Sequence, residues 1–212
     1  MPYFKNDLIH VLHIHIPKTG GTSINHYFSS KYDIRLDKHA LYTDDIVNKT
    51  HFFNGISLQH QTFISLFQNP QMFSINWKDP TLQIVTVVRN PYQRIVSDML
   101  WHGIIYENAN KKEVYEKMKN YITRVDLDNH NKPQYQFISF DNGNLIPNIT
   151  IWKTENLQRD MIMSGYSDFD VRLQTNKSTK NYLEFLNTDS LRLIHQVYAR
   201  DFELFNYDMI TV

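Results

Sequence analysis

A short loop near the amino terminus contains the residue types that bind an anion. Residues 17–23, PKTGGTS, combine a lysine, two adjacent glycines and three hydroxyl side chains. The apolar run 8–16 before the loop is typical of a buried strand, and the apolar spacing of Ile24, Tyr27 and Phe28 after it is helical. A strand that leads through a tight loop into a helix directs main-chain N–H groups and the positive end of the helix dipole at one point. The segment therefore predicts an anion-binding site.

The order of lysine and glycine in this loop limits the kind of anion site. Gly20 and Gly21 have no Cβ, so the backbone can adopt positive φ and approach an oxygen-rich ligand closely. In the nucleotide P-loop the lysine follows the glycines, whereas Lys18 precedes both. This order argues against a Walker-type ATPase or kinase. The alternative is a plain strand-to-helix turn in which Thr22 or Ser23 caps the helix.

A second segment repeats the arrangement of strand, cation and helix. Residues 81–88, TLQIVTVV, predict a buried strand, and Pro91 is suited to the first turn of the helix that follows. Arg89 is placed for a bidentate contact with a phosphate or carboxylate, and Ser97 is close enough along the helix to share that ligand. The alternative is an ion pair for Arg89 and a solvent-exposed face for Ser97. Two such units predict a parallel sheet with helices on its faces and a ligand at the strand ends.

Composition narrows the class of protein. The 212 residues fit a single domain, 1–212, and 22 basic residues balance 22 acidic ones, which argues against nucleic acid as the main partner. The absence of cysteine excludes disulfides, zinc–thiolate sites and thiol nucleophiles. The apolar run near the amino terminus is interrupted by histidines and is too short for a signal peptide or membrane span. We expect a cytoplasmic protein without membrane insertion.

The remaining pattern predicts a third core strand and several helices. Residues 149–153 are expected to form the strand, and helices are expected over 57–67, 111–125, 155–163 and 181–186. Residues 189–207 are expected to form an amphipathic helix followed by a short aromatic tail that contains Phe205 and Tyr207. Asp189 or Ser190 would cap the last helix, whose apolar stripe is expected to be core. The polar segment 172–180 is either a loop that closes on an anionic ligand or a solvated linker.

Three stretches together resemble the sulfotransferase family 2 group, which comprises carbohydrate sulfotransferases and their bacterial and viral relatives. They are PKTGGTS after a buried strand, VVRNPYQRIVSD in the middle of the chain, and LNTDSLRLIHQVYARDFELFNYD near its end. The resemblance implies a three-layer α/β/α, P-loop-NTPase-like fold with a central, mostly parallel sheet. It also implies 3′-phosphoadenosine 5′-phosphosulfate (PAPS) as sulfuryl donor and 3′-phosphoadenosine 5′-phosphate (PAP) as product.

The resemblance also assigns roles to individual residues. The loop that binds the 5′-phosphosulfate corresponds to Lys18, Thr19, Gly20, Gly21, Thr22 and Ser23. The ligands of the 3′-phosphate correspond to Arg89 and Ser97. Residues 58–62, LQHQT, are similar to the stretch that supplies the catalytic histidine, here His60. The segment around Asn176, Lys177 and Ser178 is loosely similar to a loop that closes on the cofactor.

These assignments predict an in-line displacement at sulfur in which an acceptor hydroxyl attacks and a phosphate oxygen leaves. Lys18 and the loop N–H groups would stabilise the developing negative charge. His60 would take the hydroxyl proton, because an imidazole titrates near neutrality, and His51 is its nearest rival. No metal is required. His13 and His15 alternate on one strand face and could suggest a metal pair, but we expect them to be buried and hydrogen-bonded because no third ligand is evident.

The acceptor is expected to be a saccharide, and Tyr106, Tyr135 and Phe137 could stack on its rings. Two other functions stay open. One is a non-catalytic nucleotide-binding or assembly protein, because a fold can persist without its reaction. The other is a phosphotransferase of the P-loop type, which the lysine order and the lack of a clear magnesium-binding aspartate after a strand make the weaker alternative.

Overall fold

A four-stranded sheet lies at the centre of the protein. The structure is a computed structural model and describes residues 1–42, 52–170 and 181–212. Strands β1 (Tyr3–Lys5) and β2 (His10–Ile14) are followed by the two-stranded hairpin of β3 (Phe52–Phe53) and β4 (Ile56–Ser57), and then by β5 (Gln83–Val88) and β6 (Ile149–Lys153). The order in the central sheet is β1-β2-β5-β6. Only β1 runs antiparallel to its neighbour, so the sheet is mostly parallel.

The register of the parallel strands brings their carboxyl ends to one edge. Ile14 of β2 pairs with Thr86 of β5, and Val88 of β5 pairs with Lys153 of β6. The loops that follow the three strands therefore start side by side. All three predicted core strands are confirmed, and β2 is shorter than the predicted run 8–16 at both ends.

Seven α-helices occur in the described ranges. In chain order they are α1 (Gly21–Tyr32), α2 (Phe63–Phe67), α3 (Pro70–Phe73), α4 (Pro91–Trp101), α5 (Lys111–Thr123), α6 (Leu157–Met163) and α7 (Thr188–Leu204). Helices α1, α4 and α6 follow β2, β5 and β6, as a strand–loop–helix arrangement requires. The chain is thus a mixed α/β protein.

Three details of the predicted helices were wrong. A helix was predicted over 57–67, but Ser57 ends a strand and Leu58–His60 forms a 3-10 turn. The helix α2 begins only after Thr62, because the Thr62 side chain caps it by accepting from the Ser65 N–H. Residues 181–186 contain only the 3-10 turn Tyr182–Phe185. The cap of α7 is Asn187, whose side chain accepts from the Ser190 N–H.

Apolar side chains cover both faces of the sheet, as the alternation of side chains along a strand requires. Val11, Val87 and Trp152 pack with α1 and α6 on one face. Leu12 and Ile14 pack with α2 on the other. A third cluster joins α4, α5 and α7 and includes the apolar stripe of α7, which confirms that this stripe is core.

Candidate active site

The loop between β2 and α1 has the backbone geometry of an anion site. Gly20 caps α1 in the left-handed region at φ 94°, so the cap is neither Thr22 nor Ser23 as the alternative required. Helix α1 then starts at Gly21, where a Cβ would lie 2.2 Å from the ring of His15. The second glycine therefore serves close packing rather than positive φ. The first N–H groups of α1 have no partner within the helix, and such groups can bind an anion.

Side chains from three other positions fix the carbonyl groups of this loop. The Arg94 guanidinium donates to the Pro17 carbonyl over 3.0 Å, and Arg89 Nη1 donates to the Lys18 carbonyl over 3.1 Å. The Thr154 hydroxyl, which follows β6, donates to the Thr19 carbonyl over 2.5 Å. Three consecutive carbonyl groups are thus bound to neighbouring elements, which holds the loop against the ends of β5 and β6.

The hydroxyl groups of the loop differ in what they can contact. Thr19 is fully buried and its hydroxyl donates to the Ile16 carbonyl over 2.8 Å, so only its main chain can reach a ligand. Thr22 is exposed, and its hydroxyl makes no hydrogen bond to a described residue. Ser23 is buried at the start of α1. Among the three, Thr22 has the hydroxyl best placed for a ligand.

Arg89 follows β5 and reaches the loop after β2. Its main-chain N–H donates to Gln134 Oε1 and its carbonyl accepts from Gln134 Nε2, so one side chain holds its backbone from both sides. The guanidinium lies 5.0 Å from the centre of the Tyr182 ring. Its Nε is buried without a hydrogen bond, and Arg89 forms no ion pair within the described ranges, in contrast to the alternative. Ser97 is half-buried on α4, and no described residue hydrogen-bonds its hydroxyl.

Lys18 places a second positive charge beside Arg89. Its Nζ lies 5.2 Å from the centre of the Trp101 ring, within the range of a cation–π contact. Burial lowers the pKa of Lys18, the Asp98 carboxylate opposes this shift, and the Arg89 guanidinium adds to it. Two cations held close together, each partly withdrawn from water, favour an anion between them.

His60 forms a closely bonded pair with Asp128. His60 Nδ1 lies 2.7 Å from Asp128 Oδ2, and both side chains are largely shielded from solvent. Ser57 holds the carboxylate by donating from its N–H over 2.7 Å and from its hydroxyl over 2.6 Å. Asp128 and Asn129 both have left-handed backbone, with φ of 48° and 65°, and Asn129 Nδ2 donates to the His60 carbonyl over 3.0 Å. Such strained backbone is typical of functional sites.

The ionisation of this pair keeps His60 neutral at neutral pH. Burial lowers the pKa of His60 to about 4, although the hydrogen bond to Asp128 opposes the shift. Burial alone would raise the pKa of Asp128, but hydrogen bonds from His60 and Ser57 outweigh it and lower the pKa. At neutral pH the carboxylate is therefore charged and accepts from Nδ1–H, which leaves the lone pair on His60 Nε2 to take a proton.

Ring contacts connect His60 to Lys18. The His60 ring lies 4.8 Å from the ring of His130, which in turn stacks on Trp101 at 5.1 Å. Trp101 carries the Lys18 ammonium over its ring. His130 Nδ1 is 2.7 Å from Asp98 Oδ1, and this contact orients the His130 ring. These contacts thus connect the predicted base with the predicted anion loop.

His13 and His15 are buried and hydrogen-bonded to Asn25, as expected. His13 Nδ1 lies 2.7 Å from Asn25 Oδ1. The His15 ring lies 5.2 Å from the His60 ring, and burial lowers the pKa of His15 well below its usual range. Two other sets of three side chains have geometry that could hold a metal ion, and neither contains His13 or His15: His60, Asp128 and His130, and Asp98, His102 and His130.

Several residues of the site were missed by sequence reasoning, namely Arg94, Asp98, Trp101, Asp128 and His130. Arg94 and Asp98 lie within the stretch VVRNPYQRIVSD, where only Arg89 and Ser97 were given roles. The local signal of Trp101, Asp128 and His130 is weak, because they stand in ordinary helical or polar surroundings. His51, Lys177 and Ser178 lie outside the described residues. Of the predicted stacking aromatics, Tyr106 is exposed and Tyr135 is half-buried. The prediction that Phe137 stacks on a sugar ring was wrong, because this side chain is completely buried in the core.

A family model with the description sulfotransferase family matches residues 2–208, nearly the whole chain. The chain belongs to the sulfotransferase family. No match was found among curated proteins or among solved structures. None of the helices in the described ranges combines the length and apolar character needed to cross a membrane. Family membership agrees with two cation-bearing loops that meet at adjacent strand ends.

Proposed function

We propose that this sulfotransferase transfers the sulfuryl group of PAPS to a hydroxyl group of an acceptor, and that the acceptor is a carbohydrate. The observation that carries the proposal is the contact between Arg89 Nη1 and the Lys18 carbonyl, which joins the two predicted anion-binding motifs at adjacent strand ends. The three-layer, P-loop-like description of the fold is part of the proposal and is supported by the apolar clusters on both faces of the sheet. The cytoplasmic location stays a prediction from sequence.

The residues present fit the donor. The buried, unpartnered Nε of Arg89 and the free hydroxyl of Ser97 suit the 3′-phosphate. Lys18 and the first N–H groups of α1 suit the 5′-phosphosulfate, because both supply positive charge where Gly20 lets the backbone come close. Lys177 and Ser178 remain predicted ligands. When bound, PAPS supplies an activated sulfuryl group and a phosphate leaving group.

His60 and Asp128 provide the proton transfer in this proposal. Asp128 fixes the Nδ1–H tautomer, and His60 Nε2 removes the proton of the acceptor hydroxyl. Lys18 supplies positive charge near the loop, a contribution that can reach several kcal/mol for a well-placed donor. No step is assigned to a metal ion.

Carbohydrate as the acceptor rests on the resemblance and on exposed aromatic side chains. Trp101 is 50% exposed beside Lys18 and His130, and Tyr106 is 63% exposed in the segment after α4. Rings of this kind pack against the apolar faces of sugars, while nearby polar groups orient the hydroxyls.

The test is release of PAP from PAPS in the presence of a panel of saccharides, with wild type, His60→Ala and the control His26→Ala. His26 is exposed on α1, outside the site. We expect acceptor-dependent release by wild type and control, and a fall of about a hundred- to ten-thousandfold in His60→Ala with PAP binding retained. Tight PAP binding without transfer to any acceptor would instead favour the non-catalytic nucleotide-binding protein, and undiminished release by His60→Ala would move the base to another residue.

A further inference from the structure

The pair His60–Asp128 is part of a larger connected group of ionisable side chains. His130 lies against His60 at 4.8 Å between ring centres and binds Asp98 through Nδ1 at 2.7 Å. His102 Nε2 lies 3.9 Å from Asp98 Oδ2. The group contains two sets whose ligand atoms lie within 4.8 Å of one another, His60–Asp128–His130 and Asp98–His102–His130. Both contain His130, so one ion at most can use it fully.

His130 is arranged like a histidine that binds a metal. Its Nδ1 is engaged by the buried Asp98 carboxylate, which leaves Nε2 as the nitrogen available to an ion. A carboxylate that accepts from the other ring nitrogen is the usual support of a metal-bound histidine, because it fixes the tautomer and the ring orientation. Asp98 itself is held by the buried Tyr121 hydroxyl, so this support is rigid.

The set that includes Asp128 is the better of the two. Its carboxylate side chain is 29% exposed, which gives an ion a route from solvent to the buried imidazoles. In the other set, the positive charges of Arg124 and Lys18 act on His102. Repulsion from these cations disfavours a metal ion there.

The ligand types and spacing select the metal. Two imidazole nitrogens and one carboxylate oxygen, with a fourth position left for water, form the ligand set of an open zinc site. Ligand atoms around a tetrahedral zinc ion lie about 3.4 Å apart. The ligand atoms of this set lie within 4.8 Å of one another, and bonds to the ion would replace the 2.7 Å hydrogen bond between His60 Nδ1 and Asp128 Oδ2. Magnesium and calcium prefer all-oxygen ligands and are not expected to bind.

We propose that a zinc ion, or a transition-metal ion of similar preference, binds between His60, His130 and Asp128. The proposal that the ion binds is argued only from the contacts of these three side chains and does not depend on the proposed function. One consequence rests on the proposed function: when the ion binds one nitrogen of His60, the other nitrogen carries the proton and no lone pair is left for the acceptor hydroxyl, so zinc inhibits sulfuryl transfer reversibly.

The test is calorimetric titration with zinc chloride on the full chain, with magnesium chloride as the control ion. Wild type is compared with Asp128→Asn and His130→Gln, which remove ligands, with His102→Gln, which affects only the other set, and with the exposed His26→Gln. We expect one zinc ion per chain, and binding weakened more than about tenfold in the first two variants, since even loss of an outer partner typically costs this much. His102→Gln and His26→Gln should match wild type.

Circular dichroism identifies a variant that fails to fold, and titration of wild type with cobalt chloride gives a readout that needs no variant. A site of nitrogen and oxygen ligands in tetrahedral geometry gives cobalt intense visible absorption, which zinc should abolish by displacement. The proposal would be overturned if zinc binding were not saturable or if cobalt gave none of these bands. It would also be overturned if His102→Gln lost as much zinc affinity as Asp128→Asn. Zinc binding without inhibition would leave the site intact and argue against His60 as the base.

Discussion

Asp128 controls what His60 can do, because its carboxylate accepts from Nδ1–H and so leaves the lone pair on Nε2. In Asp128→Asn the neutral amide oxygen can still accept from Nδ1–H, but it does not supply the negative charge that stabilises the imidazolium formed when the proton is taken. We therefore expect turnover to fall about a hundredfold while PAP affinity changes little. Steady-state kinetics and a PAP titration measure the two effects.

Asp126→Asn is the matched control for this variant, since Asp126 is an exposed carboxylate of the same segment and pairs with Arg124. Asp126→Asn should behave as wild type. The pH profile gives a second readout, because Asp128 raises the pKa of His60 and its loss should move the acidic limb of turnover to lower pH. Equal effects of the two substitutions, or an unmoved acidic limb, would contradict the role of Asp128.

The loop between β2 and α1 depends on Gly21 for its position. A Cβ there would lie 2.2 Å from the His15 ring, which is held between β2 and Asn25 and cannot move aside freely. We expect Gly21→Ala to lower the free energy of unfolding by about 1–3 kcal/mol, the usual cost of overpacking. Ser30→Ala, at an exposed position of the same helix, should have little effect. Chemical denaturation compares the variants, and equal stabilities would show that the His15 ring can rearrange.

The elements of the sheet could be predicted from sequence because their patterns are local. The strand β6 has the predicted bounds, and both strand–loop–helix units are present. The helix predicted over 57–67 was wrong, because the apolar spacing there continues through the end of a strand and a turn. The predicted cap of α7 was wrong, because Asn187 caps the helix through a side-chain hydrogen bond. Apolar periodicity records which face is buried but not where a cap interrupts the backbone.

The molecule as a whole buries histidines that stay neutral, and this should make its stability depend on pH. Burial lowers the pKa of His13 and of His60 to about 4, whereas an unfolded histidine has a pKa of about 6.5. Between these values the unfolded chain binds more protons than the folded one, so the free energy of unfolding falls as pH falls from about 6.5 to about 4 and is largest above that range. Each histidine contributes a slope of about 1 kcal/mol per pH unit.

Denaturation at several pH values compares wild type with His13→Gln and with His39→Gln, which changes an exposed histidine. Between pH 4 and 6.5, the slope of the free energy of unfolding against pH should decrease in His13→Gln by the equivalent of about one proton. In His39→Gln this slope should be unchanged. A slope that His13→Gln leaves as in wild type would show that His13 becomes protonated in the folded protein.

The site illustrates what a sequence can and cannot show about a whole molecule. Lys18, Gly20 and Arg89 stand in motifs whose chemistry is readable in a few adjacent residues. The pairing of His60 with Asp128 joins positions 68 residues apart, and it depends on a left-handed turn at Asp128 that no local pattern indicates. His130 and Trp101 are similar cases, because their roles arise only from stacking between elements.

The most direct measurement is a calorimetric titration of wild type, Lys18→Ala, Arg89→Ala and the exposed control Lys112→Ala with PAP, 5′-AMP and ATP. We expect wild type and Lys112→Ala to bind PAP at least about tenfold more tightly than 5′-AMP, as a charge-assisted contact to the 3′-phosphate implies. Arg89→Ala should lose that preference, and Lys18→Ala should weaken binding of PAP and 5′-AMP alike. Equal affinity of wild type for PAP, 5′-AMP and ATP, or a preference that survives in Arg89→Ala, would contradict the proposed donor site.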